Sequence, residues 1–182
     1  MFDKKSIIEQ LLKVIREKGY AGMSLSCISE ATGLKKSSIY HFFPDGKNQI
    51  ALEIIKFADQ MLSEKFLQLA ESGDAYDVKF NKTLNILSEF YGKGNSSCLL
   101  DVMTIDNNDE QTQKAIKQLL LKLINVFKAL FQEAGLEERG AHLNATDIVV
   151  RLQGALVICR VTKETQYFAD VISSLRIEAK TT

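Results

Sequence analysis

A single proline, Pro44, interrupts the 182 residues of this chain. Average usage of about 5% would give roughly nine, and proline is the residue that most reliably stops a helix. Ten glycines add few further breaks. A chain this poor in breakers spends its length in long elements, and the apolar spacing says of which kind. Ile7, Ile8, Leu11, Leu12 and Ile15 recur with a 3.6-residue period, which predicts an amphipathic helix over 4–18. Gly19 stands where that helix ends, with Arg16 and Lys18 in its last turn.

The same reading continues along the chain. Ser24 is placed to cap a short second helix carrying Leu25, Ile28 and Ala31, closed by Gly33. A third short helix starts near Lys36 and stops at Pro44-Asp45-Gly46. A fourth runs from Lys47 to about Ser72, and a fifth from Tyr76 to Tyr91. The run 98–105 fits helix or strand, and helix is expected because nothing else offers it a sheet. Asp109 to Ala134 predicts a long helix, 135–143 a loop, and Asn144 or Thr146 the cap of an eighth helix. A ninth is expected over 164–178. The expected class is all-α, with about nine helices.

Composition narrows the function. With 46% apolar and 25% charged residues the chain has the balance of a globular protein, not of a disordered one. Net charge is zero, but residues 1–50 hold eight basic and five acidic side chains, leaving an acidic remainder. A basic head points towards a polyanion. Cys27, Cys98 and Cys159 are widely spaced and odd in number, so neither a disulfide framework nor a zinc site is expected. The two histidines, His41 and His142, have no metal-ligand spacing, so no metal and no cofactor is expected. The longest purely apolar run, Ala155–Cys159, is five residues, against the ~20 a membrane helix needs. A cytoplasmic protein without membrane attachment is expected. No phosphate-binding glycine loop, metalloprotease or serine-hydrolase motif occurs, and no enzyme activity is expected.

The informative segment is 24–47. Two short helices meet at Thr32-Gly33-Leu34, where glycine permits a positive φ, Leu34 plugs the corner, and Ala31 is small enough for the crossing. The second of these helices turns Ile39 and Phe43 inward and leaves Lys35, Lys36, Ser37, Tyr40 and His41 outside. Such a helix fits the DNA major groove, with its N-terminal residues towards base edges.

These residues resemble a known family. Ile28–Ala31, Gly33-Leu34, Ser38-Ile39-Tyr40, Phe43-Pro44 and Lys47 are similar to the helix-turn-helix signature of tetracycline-repressor (TetR) family transcriptional regulators. Phe43-Pro44-Asp45-Gly46-Lys47 resembles the LmrA/YxaF-like subgroup, as do Ser97-Cys98-Leu99-Leu100 and Gln153-Gly154-Ala155-Leu156 with Arg160. The resemblance implies a DNA-binding domain over 1–46 and a helical effector-binding and dimerisation domain over 47–182. It implies a repressing homodimer released from a palindromic double-stranded DNA operator by a small, mostly apolar effector. The alternative is an architectural DNA-binding protein without small-molecule control.

By position, the resemblance assigns Ser24 and Ser26 to backbone contacts. Lys35, Lys36, Ser37, Tyr40 and His41 go to bases or phosphates, and Lys47 to a phosphate clamp at the start of the fourth helix. Lys35 replaces a customary Ser or Thr cap, which implies a loss of about 1 kcal/mol of capping.

In the body, Leu87, Phe90, Tyr91, Met103, Phe127 and Phe131 either fill a core or line an effector cavity with Asn107, Gln153 and Arg160 as polar groups. Ile148, Leu152, Ala155, Leu156, Cys159, Phe168, Ile172 and Leu175 either pack internally or form a dimer interface. The resemblance favours the interface.

Overall fold

The computed structural model describes residues 3–104 and 109–179. Nine α-helices and one 3-10 turn occur among the described residues. They are α1 (Lys4–Gly22), α2 (Leu25–Thr32), α3 (Lys36–Phe42), α4 (Gly46–Ala70) and α5 (Tyr76–Phe90). The turn Gly92–Gly94 follows, then α6 (Leu99–Thr104), α7 (Glu110–Glu133), α8 (Glu138–Thr162) and α9 (Gln166–Glu178). No helix of the described residues is long and apolar enough to cross a membrane.

By packing, the chain forms two units, Met1–Gln60 with Leu99–Leu119, and Met61–Cys98 with Leu120–Thr182. The packing units are drawn differently from a linear boundary after residue 46, because α6 lies against α1. In the first unit, α1 buries Ile7, Ile8, Leu11, Leu12, Val14 and Ile15, the inner stripe that the periodicity predicts. Ile28, Leu34, Ile39, Phe43, Ile50 and Ile54 are buried in the same unit. Lys4 closes the α1 end of this packing with a 2.7 Å ion pair to Glu53. The helical trace of α1 breaks at Gly19, whose φ of 69° only glycine adopts without strain. Residues 20–22 therefore leave the axis of the helix formed by residues 4–18.

The second unit holds an aromatic stack of Tyr76, Phe80, Phe127 and Phe131, with Phe80 at 5.7 Å from Phe127 and 5.9 Å from Phe131 between ring centroids. Lys79 is buried beside it and is matched by a two-bond fork to Glu133, at 2.9 and 3.2 Å. The pairing is what permits a buried ammonium. Tyr91 is 2% exposed and sits edge-on against Phe168.

One expectation is corrected in this unit. The expected loop at 135–143 is largely helix, because α8 starts at Glu138. Ala141 and Ala145 are buried and extend the inner ridge back from Ile148, and small alanines at that spacing are easily passed over in an apolar count. Glu138 also suits a helix start electrostatically and accepts hydrogen bonds from Lys128 and Gln132. The expected dimer residues have neighbours inside the chain. Ile148, Leu152, Ala155, Leu156, Cys159, Phe168, Ile172 and Leu175 are all buried within the single chain, where α8 packs on α9. They are core.

The face of α8 left to solvent is apolar instead. Leu143, Val150, Val157, Ile158 and Val161 are exposed, Val161 by 74%. With the exposed Gly154, all but Ile158 recur at seven-residue intervals in two rows, 143-150-157 and 154-161. Tyr167 and Ile177 of α9 are exposed as well.

Candidate nucleic-acid interface

The site is built on the turn between α2 and α3. Ser24 caps α2, its Oγ accepting from the Cys27 amide at 3.2 Å. Gly33 ends α2 in the left-handed region, φ 69° and ψ 6°, and its amide donates to the Ser29 carbonyl at 2.9 Å. The turn then satisfies its own polar groups. Thr32 Oγ1 donates to the Ile28 carbonyl at 2.6 Å and accepts from the Leu34 amide at 3.3 Å. Ser29 Oγ donates to the Leu34 carbonyl at 2.6 Å. With Leu34 4% exposed, the corner is plugged as expected. Ala31, expected at the crossing, is exposed; Thr32 is the buried residue at that end of α2.

α3 divides cleanly. Ile39 and the following Phe43 are fully buried, while Lys35, Lys36, Ser37, Tyr40 and His41 are exposed. Tyr40 is half exposed, so its ring is not a core aromatic. Lys35 occupies the N-cap of α3 with no side-chain cap hydrogen bond. Ser24 and Ser26 are exposed at the start of α2. Seven of the eight expected contact residues therefore stand on the solvent side of the α2–α3 pair.

Lys47 is the eighth, and its setting is more specific. It lies in the first turn of α4 and is half-buried. Its Nζ stands 4.3 Å from the Tyr20 ring centroid and donates to the Ala21 carbonyl at 3.1 Å. Tyr20 donates its hydroxyl hydrogen to Asn48 Oδ1. Burial, then the negative charge of Asp109, pushes the Tyr20 phenol above its ordinary pKa, so it stays a donor through the physiological range. Tyr20 and Asn48 were not among the expected site residues. The signal for them was an aromatic directly after Gly19, the residue that bends α1.

Cys27 is another feature that spacing alone did not single out. It is partly exposed, unlike the buried Cys98 and Cys159. A hydrogen bond with Ser24, helped by the Lys18 ammonium 3.7 Å from Sγ, draws its thiol below the usual range.

The expected effector residues fall in both units. Met103 is buried in the first. Leu87, Phe90, Tyr91, Phe127, Phe131, Gln153 and Arg160 belong to the second. There Gln153 Nε2 donates to the Tyr91 hydroxyl at 3.2 Å, and Phe90 packs edge-on against Tyr91. Phe127 and Phe131 belong to the stack around Phe80. Asn107 lies outside the described residues. Among the described residues no group of three or more His, Cys, Asp or Glu side chains is placed to hold a metal ion.

Comparison with known proteins bears on this arrangement. Residues 7–54 match the family of bacterial regulatory proteins called tetR. Residues 88–174 match the C-terminal domain of LmrA/YxaF-like transcriptional regulators. An HTH-type transcriptional regulator of Mycobacterium tuberculosis is 25% identical over 162 residues, covering 83% of this chain and 80% of that protein. The HTH-type regulator YxaF of Bacillus subtilis is 20% identical, covering 88% of this chain and 86% of that protein. Among solved structures, a TetR transcriptional regulator from Legionella pneumophila superposes with a TM-score of 0.85 at 18% identity, covering 96% of each chain.

Proposed function

The chain belongs to the tetR family of bacterial regulatory proteins, in its LmrA/YxaF-like branch, and from that premise we propose that it is a dimeric repressor released from DNA by a small effector. The observation that carries the reading is the division of α3, with Ile39 and Phe43 buried and Lys35, Lys36, Ser37, Tyr40 and His41 turned outward together. Lysines supply phosphate attraction that is strong and salt-dependent, while the hydroxyls, Tyr40 and His41 meet base edges. Ser24, Ser26 and Lys47 hold the flanking backbone.

A two-fold pair of such heads reads a roughly palindromic operator. The face that supports pairing is the exposed one on α8, formed by Leu143, Val150, Gly154, Val157, Ile158 and Val161. The residues first expected there are occupied inside the chain. For the effector, the candidate polar pair is Tyr91 and Gln153, with Phe90 edge-on against Tyr91. Effector binding would act through α4, the helix that carries Lys47 at its first turn. Coupling of about 1–3 kcal/mol is typical of such systems, and nearly complete release needs a preference of roughly 5 kcal/mol.

The test is a footprint across the DNA upstream of the chain's own coding sequence, with gel shifts of Lys36→Ala and Tyr40→Phe. A short, two-fold symmetric protected site is expected, weakened in both variants without a change in elution volume. No protection even at low salt would overturn the reading. A broad footprint independent of sequence, with no compound of a hydrophobic panel raising the melting temperature, would favour the architectural alternative.

A further inference from the structure

Lys47 and Asn48 are consecutive residues at the start of α4, and one side chain touches both. The ring of Tyr20 lies under the Lys47 ammonium at 4.3 Å, and its hydroxyl donates to Asn48 Oδ1. The Ala21 carbonyl, one residue further along the chain from Tyr20, accepts from the same ammonium at 3.1 Å. Tyr20 reaches this position because Gly19, at φ 69°, turns the chain out of α1 just before it. Gly19 in turn faces the Val102 carbonyl of α6, which an added Cβ would meet at 3.9 Å.

We propose that Tyr20 is a positioning residue for DNA binding. Its ring and the adjoining Ala21 carbonyl fix the Lys47 ammonium where a backbone phosphate meets the start of α4. The proposal rests on the reading of α2, α3 and α4 as a DNA-binding head. Its physical basis is pre-organisation. A lysine side chain carries four rotatable bonds and large rotamer entropy, lost on meeting a phosphate unless something has already restricted it. An aromatic face restricts an ammonium through its ring quadrupole, which carries no net charge to compete with an anion.

The experiment compares wild type, Tyr20→Phe, Tyr20→Leu, Lys47→Ala and the double variant Tyr20→Leu/Lys47→Ala. Each is titrated by fluorescence anisotropy with a mixed-sequence DNA duplex over a range of salt. Tyr20→Leu should weaken binding at low salt roughly three- to tenfold, in line with a lost cation–π contact. It should also lower the slope of log affinity against log salt by up to about 0.9, the contribution of one phosphate. The double variant should bind no worse than Lys47→Ala alone, because both changes remove one contact. Tyr20→Phe, which keeps the ring, should keep the slope.

A second readout needs no DNA. The Lys47 Hε protons, assigned by their loss in Lys47→Ala, should show an upfield ring-current shift in wild type and Tyr20→Phe that vanishes in Tyr20→Leu. A merely structural role for Tyr20 would lower the melting temperature without changing the salt slope. An unchanged or tighter affinity in Tyr20→Leu, or additive losses in the double variant, would overturn the proposal. Failure of the wild-type protein to bind the duplex at low salt would overturn the functional reading itself, whatever the ring-current result.

Discussion

Arg151 of α8 and Glu178 of α9 face each other through two parallel hydrogen bonds, 2.8 Å from Nη1 and 2.9 Å from Nη2. Ser174 joins them, accepting from Arg151 Nη2 at 3.1 Å and donating to Glu178 at 2.8 Å. This fork ties together the two helices whose inner faces hold Leu152, Leu156, Phe168 and Ile172.

The fork has a pH signature. Hydrogen bonding from Arg151 holds the Glu178 carboxyl below the usual glutamate range. A group whose folded pKa is depressed stabilises the fold above its unfolded pKa and loses that contribution as pH falls through the folded value. Glu178→Gln should therefore cost about 0.5–1 kcal/mol at neutral pH, the size of a well-formed but solvent-exposed pair. The deficit should shrink at pH values below the carboxylate range. Urea midpoints at neutral and acid pH check this; an equal deficit at both would contradict it.

Gly33 tests the turn between α2 and α3 without confusion from packing. Its φ is 69°, and no heavy atom lies within 4 Å of an added Cβ. The cost of Gly33→Ala is then conformational alone, about 1–2 kcal/mol, and Gly33→Asn should cost less because Asn tolerates the left-handed region. Denaturant unfolding should give the order Gly, Asn, Ala in falling stability. Equal stability of Gly and Ala would mean the turn relaxes out of that region.

The two faces of α8 make opposite predictions. Val161→Asp, at 74% exposure, should leave the melting temperature of the isolated chain almost unchanged but convert a dimer to a monomer in light scattering. Leu152→Asp, at 2% exposure, buries an unpaired carboxylate and should unfold the chain or cost several kcal/mol. A Val161→Asp protein that remains dimeric would move the interface elsewhere.

Thiol chemistry should single out Cys27. It is partly exposed and its thiol is drawn down by Ser24 and Lys18, while Cys98 and Cys159 are buried. Alkylation with iodoacetamide near neutral pH should label Cys27 first, and Lys18→Ala should slow that labelling by reducing the thiolate fraction. Mass spectrometry of peptides from a short exposure reads it directly. Labelling of Cys98 or Cys159 at the same rate would count against the assignment.

How far the sequence carried depended on the range of the interaction. Ser24 as a cap, Gly33 as a left-handed corner and Leu34 as its plug are decisions made within a few residues, and each was legible from residue type and spacing. The outward set on α3 was legible for the same reason, since burying Ile39 and Phe43 on a 3.6-residue period leaves Lys36, Tyr40 and His41 no other side. The start of α8 was harder, because Ala141 and Ala145 contribute little to an apolar count although both are completely buried.

The residues of α8 and α9 show where local pattern ends. Leu152 and Val161 are both apolar residues on one helix, and nothing in their spacing says which meets α9 and which meets solvent. Likewise Tyr20 and Lys47 are 27 residues apart in the chain, and only the bend at Gly19 together with the placement of α4 brings ring and ammonium to 4.3 Å. The amino-acid order by itself determined most of the helices, the Ser24 cap and the exposed set on α3, because hydrogen bonds four residues apart and a fixed turn angle settle these locally. Tertiary structure decided which apolar stripe is core and which lysine has a partner, because those depend on where a second helix lies, and that is set by packing across the whole unit.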